Sequence, residues 1–276
     1  MVTAREREEL KSFTVMARRC TVPLIEQNDH TAEILGTGTL FAANSKHYLI
    51  TAAHVVADHL HHHSTERIGV PLGVEHAPVA RLGNVFVSHY ENTDVFDVAI
   101  VRLDQPELVS ALNRFWKFLT TDNIAGVPFG CGKAFVAGYP CATSRTGTNF
   151  KISSRFTSFA TALVDQAPED ATAVQPGIDV FLGHKESGTG LDEKSIELPN
   201  LKGLSGASVW SMVGRNIAGR TEDQARVIAV EVACREGSYI RAKSWVLVAK
   251  LFEALDLQAA AEIKRAVGWA DEPGSR

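Results

Sequence analysis

The sequence predicts an all-β fold with helices confined to its two ends. Three observations carry this. From Cys20 onward the chain is built of short apolar runs, mostly under eight residues, many of them β-branched or aromatic and divided by turn residues. No long helical period lies between those runs, as strand–helix alternation in a parallel sheet would require. Helical spacing is confined to the first residues and to the stretch after Ser244.

Taken in order, residues 4 to 17 have a polar front and scattered apolar positions, which reads as a short amphipathic helix with Thr3 as its N-cap. The strand-like runs TVPLI (21 to 25), GTGTLFA (36 to 42), HYLITAA (47 to 53), NVFVSHY (84 to 90) and DVAIVRL (97 to 103) follow. Residues 104 to 130 are less regular, broken by Pro106, Gly126, Pro128 and Gly130, and separate two β units. The second unit holds KAFVAGY (133 to 139), NFKISSRF (149 to 156), TALV (161 to 164), ASVWSM (207 to 212) and RVIAVEVA (226 to 233). Residues 183 to 203 are rich in Gly and charge and read as surface loops. Val248, Leu251 and Leu255 recur at helical spacing, giving a C-terminal helix or helix pair, with a frayed tail DEPGSR. The division is a helical segment over 1–17, a first β unit over 18–125, a second over 126–243 and a C-terminal helix and tail over 244–276.

Composition narrows the function classes. The 276 residues are 45% hydrophobic and 22% charged, enough for a sizeable core and unlike collagen, coiled coil or disorder. The 28 Lys and Arg against 32 Asp and Glu leave a net charge of -4, with no general pull toward nucleic acid or an anionic membrane. No apolar stretch approaches the ~20 residues of a membrane helix, and the charged start MVTAREREELKSF has no apolar signal core, so a cytoplasmic location is expected. Cys20, Cys131, Cys141 and Cys234 form no CxxC pair and no disulfide framework. A Cys131–Cys141 bridge across a hairpin is disfavoured by a reducing compartment.

Three local patterns carry chemistry. In YLITAAHVV an apolar strand ends at Thr51, and two alanines then set His54 where neighbouring chains can pack against its ring. In FDVAIVRL, Asp97 stands at the mouth of an apolar strand, where a carboxylate drawn inward needs a partner such as an imidazole N–H. Asp94 is the rival acid, though no apolar strand directly follows it. In GLSGASV, Ser205 is flanked by Gly203 and Gly206, which permit a tight turn that exposes the hydroxyl and frees backbone N–H groups. His…Asp…Ser in that order fits a nucleophilic triad, and the order differs from those of α/β-hydrolases and subtilisins.

With GTGTLF, LITAAHVV, DVAIVRL and GLSGASV in series, the chain resembles the trypsin-like (chymotrypsin-fold) serine peptidases in their intracellular bacterial form, over roughly residues 18 to 253. The resemblance implies two six-stranded antiparallel β-barrels with the site in the cleft between them. It implies a triad of His54, Asp97 and Ser205, an oxyanion hole from the backbone N–H groups of Gly203 and Ser205, and no cofactor or metal. The activity implied is serine endopeptidase, acting on protein or peptide substrates through an acyl-enzyme. The alternative is a catalytically weak protease-like domain that binds peptides or partner proteins.

Departures from the family pattern matter. Leu204 stands where secreted members carry an acid that pairs with a new N-terminus, so activation by terminal cleavage is not expected and control by a regulatory protein partner comes into view. Ala207 and Ser208 replace a glycine and a frequent proline. The resemblance puts Pro199, Val230, Glu231, Val232 and Tyr239 at the substrate-binding pocket. Pro199 stands where a trypsin has aspartate, which argues against strict Arg/Lys preference, although Asp192, Glu193 and Glu197 lie close in sequence.

Two features have blander explanations. The run DHLHHH (58 to 63) lacks a spaced Cys or Glu set and reads as a solvated loop rather than a metal site. Phe115, Trp116 and Phe118 read as packing residues before a ligand platform.

Overall fold

The computed structural model describes residues 4–27, 32–56, 65–73, 77–83, 85–92, 95–128, 132–146, 152–184, 187–189, 195–197, 200–212 and 225–269. Helix α1 (Ala4–Cys20) runs three residues past its expected end, and Thr3, its expected cap, lies outside the described residues. Phe13, Ala17 and Cys20 share one face and are buried, with the Phe13 ring 4.7 Å from Phe135 and 5.6 Å from Trp210. That stripe docks the helix on the second β unit.

The first unit is a seven-stranded antiparallel sheet. Its strands are β1 (Thr21–Gln27), β2 (Ala32–Ala43), β3 (Lys46–Thr51), β4 (Ile68–Pro71), β5 (Val79–Arg81), β6 (Phe86–His89) and β7 (Ala99–Leu103), in the order β5-β4-β1-β2-β3-β7-β6. Six strands and a closed barrel were expected. Among the described residues, the edge strands β5 and β6 are short and do not pair with each other. The sheet instead curls round one core: Leu24, Leu40, Leu49, Val70 and Val101 pack together with Leu82 from one edge and Val87 from the other.

The second unit is a closed six-stranded barrel, as expected. It holds β8 (Lys133–Gly138), β11 (Thr157–Val164), β12 (Asp179–Gly183), β15 (Ser208–Met212), β16 (Ala225–Arg235) and β17 (Tyr239–Ser244), ordered β11-β12-β17-β16-β15-β8. Two short hairpins lie outside it, β9 (Ser144–Thr146) with β10 (Ile152–Ser154) and β13 (Ser187–Thr189) with β14 (Ser195–Glu197).

Strand periodicity assigns each face to a different core. Leu49 points into the first sheet while Tyr48 and Ile50 point into a layer shared with the second barrel and the helices. Val136 and Val209 fill the second barrel, and Phe135 and Trp210 point back into the shared layer. Both faces are buried, so the runs read as nearly continuous apolar segments rather than clean alternation.

The bridge between the units contains an unexpected helix, α2 (Pro106–Asn113). Pro106 opens it rather than breaking it, because a first-turn N–H has no intrahelical acceptor anyway, and Leu108 and Leu112 bury its inner face. The C-terminal segment is a pair, α3 (Trp245–Leu255) and α4 (Leu257–Ala266), divided at the extended residue Asp256. The Asp256 side chain accepts from the backbone N–H groups of Gln258 and Ala259 and so caps α4. Among the described residues, no helix is long and apolar enough to cross a membrane.

Candidate active site

His54 lies in a helical turn over 53–56, just after β3. Ala52 and Ala53 are fully buried, so small side chains let that turn sit against the sheet. Asp97 lies just before β7, the strand paired with β3. Its Oδ1 accepts from the His54 backbone N–H at 2.9 Å, and its Oδ2 lies 2.6 Å from His54 Nδ1. One carboxylate thus caps the start of the helical turn and orients the ring that the turn carries. With a carboxylate as acceptor, Nδ1 carries the proton and Nε2 is left as the basic nitrogen. The Asp97 side chain is 13% exposed and that of His54 42%, so the pair is anchored inside with the ring reaching outward.

Ser205 sits on a turn leading into β15. Gly203 (φ 86°) and Gly206 (φ 90°) are both in the left-handed region. A Cβ on Gly203 would lie 2.1 Å from Cys141 Sγ, and one on Gly206 would lie 1.9 Å from the Thr37 carbonyl oxygen. Only glycine fits at either place. The turn is then closed by backbone bonds: Leu204 N–H to Leu201 O at 2.9 Å, Ala207 N–H to Leu204 O at 2.8 Å and Gly206 N–H to Glu231 O at 2.8 Å. Leu204 is fully buried in the second barrel. Among the described residues, the N–H groups of Gly203 and Ser205 donate to no protein acceptor. Ser205 itself is partly exposed.

The two turns meet across Gly36 of β2. A Cβ on Gly36 would lie 2.7 Å from Val55, next to His54, and 2.8 Å from the Ser205 carbonyl oxygen. Thr37 ties the serine turn to the first sheet. Its N–H donates to Ser205 O at 2.8 Å and its hydroxyl to Gly203 O at 3.3 Å, while its Oγ1 also accepts from Tyr139 N–H at 3.0 Å. Among the described residues, no hydrogen bond joins the Ser205 hydroxyl to the His54 ring. Bonds of that kind are often long in a site without substrate and tighten on binding.

Val230, Glu231 and Val232 are all buried, at 2%, 1% and 5% exposure. Val230 faces the layer between the units and Val232 the first core. Tyr239 is half-buried, with its ring 5.5 Å from that of Phe181. Pro199, Asp94, Asp192, Glu193, Cys131 and the histidine run lie outside the described residues. Trp116 and Phe118 pack in the first core, Trp116 Nε1 donating to Pro71 O at 2.7 Å, and Phe115 is exposed. Among the described residues, no group of three or more His, Cys, Asp or Glu is placed to hold a metal ion.

One residue escaped the sequence. Thr37 has only its glycine neighbours as a signal, since Gly-Thr-Gly marks close backbone approach without saying to what. Glu231 was expected at the substrate-binding pocket, and a charge inside an apolar run is the visible sign that its carboxyl is special. Burial first, and the nearby Asp97 charge second, push its carboxyl up to about 8.

No known sequence family matches the chain, and no curated protein matches it. Solved structures do. The crystal structure of the scabies mite inactivated protease paralogue S-I1 matches with a TM-score of 0.52 at 13% identity, covering 87% of this chain and 96% of that one. That of the thermostable serine protease AL20 from an extremophilic microorganism matches with a TM-score of 0.52 at 10% identity, covering 88% and 97%. At such identities the likeness shows the fold, which is that of the chymotrypsin-like serine proteases.

Proposed function

We propose that this protein is a serine endopeptidase that cleaves peptide bonds through His54, Asp97 and Ser205. The observation that carries this reading is the double engagement of Asp97 with His54, at backbone and ring, beside a glycine-framed serine turn. The Ser205 hydroxyl oxygen adds to the scissile carbonyl carbon while its proton passes to His54 Nε2. The C–N bond then breaks, and the same proton goes to the departing amine. Water repeats the sequence, returning the serine and releasing the acid. The N–H groups of Gly203 and Ser205 stabilise the oxygen that becomes negative in each step. Tyr239, the most exposed of the described residues expected at the specificity pocket, contacts the substrate side chain. Regulation by a protein partner and a cytosolic setting belong to the same proposal.

A second reading has one observation behind it: a match of equal quality is an inactivated protease paralogue. On that reading the domain binds peptides without cutting them. Labelling with a fluorophosphonate probe followed by peptide mapping separates the two. A working nucleophile is modified at Ser205, and the signal disappears in Ser205→Ala and His54→Ala. Absence of labelling, both alone and with cell extract, overturns the enzyme reading.

A further inference from the structure

Glu231 is a buried acid that the mechanism above does not use. Its backbone is bonded to the serine turn on both sides, accepting from Gly206 N–H and donating to Ala207 O, each at 2.8 Å. Its side chain is 1% exposed, and its Oε2 is buried without a hydrogen-bond partner. A charged carboxylate is costly in such a place, whereas a neutral acid is tolerated. Among the described residues, the charge that acts on the carboxyl is that of Asp97, in the direction that keeps the proton on. On its own strand, Cys234 is within electrostatic reach of Glu231. From β17, Lys243 and Arg241 face the same region and feel the Asp97 charge, but both are engaged with Asp179, Arg241 Nη2 at 2.8 Å and Lys243 Nζ at 2.5 Å. No cation therefore pairs with Glu231 among the described residues.

We propose that Glu231 is a positioning residue, a buried third acid bonded through its backbone to the serine turn, whose charge sets how tightly His54 holds its proton. Ionisation of Glu231 adds a negative charge to the site, which favours imidazolium and delays the return of the basic Nε2. The two groups then titrate as a coupled system over a widened range rather than as independent sites. This deepens the peptidase reading and rests on it for its consequence in catalysis, but the coupling itself is a property of the folded protein.

The test compares wild-type protein with Glu231→Gln, which keeps the shape of the neutral acid and cannot ionise. The His54 ring is titrated by NMR, and Ser205 labelling by the fluorophosphonate probe is measured across the same pH range. The wild-type His54 curve is expected to be stretched beyond a one-site titration. In the variant it collapses to one site with its midpoint about half a pH unit lower, about threefold in proton affinity. The labelling profile shifts the same way. Superimposable His54 curves overturn the proposal even if Ser205 labels normally. A collapsed curve without labelling upholds the coupling and counts against the peptidase reading. Should Glu231→Gln fail to fold, the Glu carboxyl carbon shifts of wild-type protein decide: a buried carboxyl still protonated at pH 6.5 supports the proposal, and one already ionised overturns it.

Discussion

The backbone N–H of Thr37, on β2 of the first sheet, donates to the carbonyl of Ser205, on the turn before the second barrel, at 2.8 Å. The Thr37 hydroxyl reaches the carbonyl of Gly203 on the same turn. Ser205 is therefore positioned by the opposite half of the molecule, the half that carries His54 and Asp97.

Thr37→Val keeps the shape of the side chain and removes its hydroxyl. Tyr139 N–H then loses its buried acceptor, a cost of about 1–3 kcal/mol. The expected outcome is a folded protein with a lowered melting temperature and Ser205 labelling slowed by about tenfold or more. Labelling at the wild-type rate would show that the hydroxyl does not set the turn.

Asp97→Asn leaves an acceptor for the His54 backbone N–H but offers an N–H₂ group to Nδ1. The ring is then driven to the wrong tautomer. Labelling is expected to slow by about 10³- to 10⁴-fold with little change in circular dichroism, the magnitude being that of the equivalent change in well-studied triads.

Gly206→Ala forces a Cβ into the left-handed region and to within 1.9 Å of the Thr37 carbonyl oxygen. Backbone has to move, so both stability and the Thr37 bond suffer. A fall in melting temperature of several degrees, together with lost labelling, is expected, corresponding to a cost of about 2 kcal/mol or more.

Asp256 joins both ends of the fold. It caps α4 and accepts from Lys46 Nζ at 2.7 Å and Asn44 Nδ2 at 3.1 Å, next to β3. Burial raises its carboxyl, but the Lys46, Ala259 and Asn44 hydrogen bonds outweigh that and hold it at about 2, below its ordinary 3.8. The unfolded chain binds the proton first, so this contribution is complete above about pH 4 and is lost as pH falls toward 2. Asp256→Asn retains a cap acceptor without the charge. Thermal melts are expected to show the variant less stable at pH 7, with the difference vanishing toward pH 2.

Glu231 has the opposite linkage. Its carboxyl stands at about 8 in the folded protein against an ordinary 4.5. The folded state binds the extra proton, so stability is full below about pH 4.5 and falls as pH rises through 8. Glu231→Gln is expected to flatten that slope in urea titrations between pH 5 and 9. An unchanged slope would mean that the carboxyl is already ionised in the folded chain.

Much of the architecture was legible. Runs such as DVAIVRL and RVIAVEVA mark strands buried on both faces, and β7 and β16 lie within or around them. Less visible were β4, β5, β12 and β17. Their strand character depends on neighbours: Arg241 and Lys243 look like surface residues in sequence, yet they turn onto the buried Asp179 on the adjacent strand. Pro106 looked like a breaker and is a helix opener, a distinction that turns on which N–H it replaces.

By itself the sequence determined local things: the places of many strands, the glycine-framed serine, the acid at a strand mouth and the histidine after two alanines. These are set by backbone sterics and apolar patterning within a few residues. Tertiary structure alone decided that one Asp97 carboxylate serves both the His54 backbone and ring, that Thr37 ties the serine turn across the two units, and that Glu231 is buried within reach of the Asp97 charge rather than solvated. Each depends on residues far apart in the chain being brought within hydrogen-bond or Coulombic range. Such distances are fixed by how the sheet, the barrel and the layer between them pack, and local pattern carries no record of them.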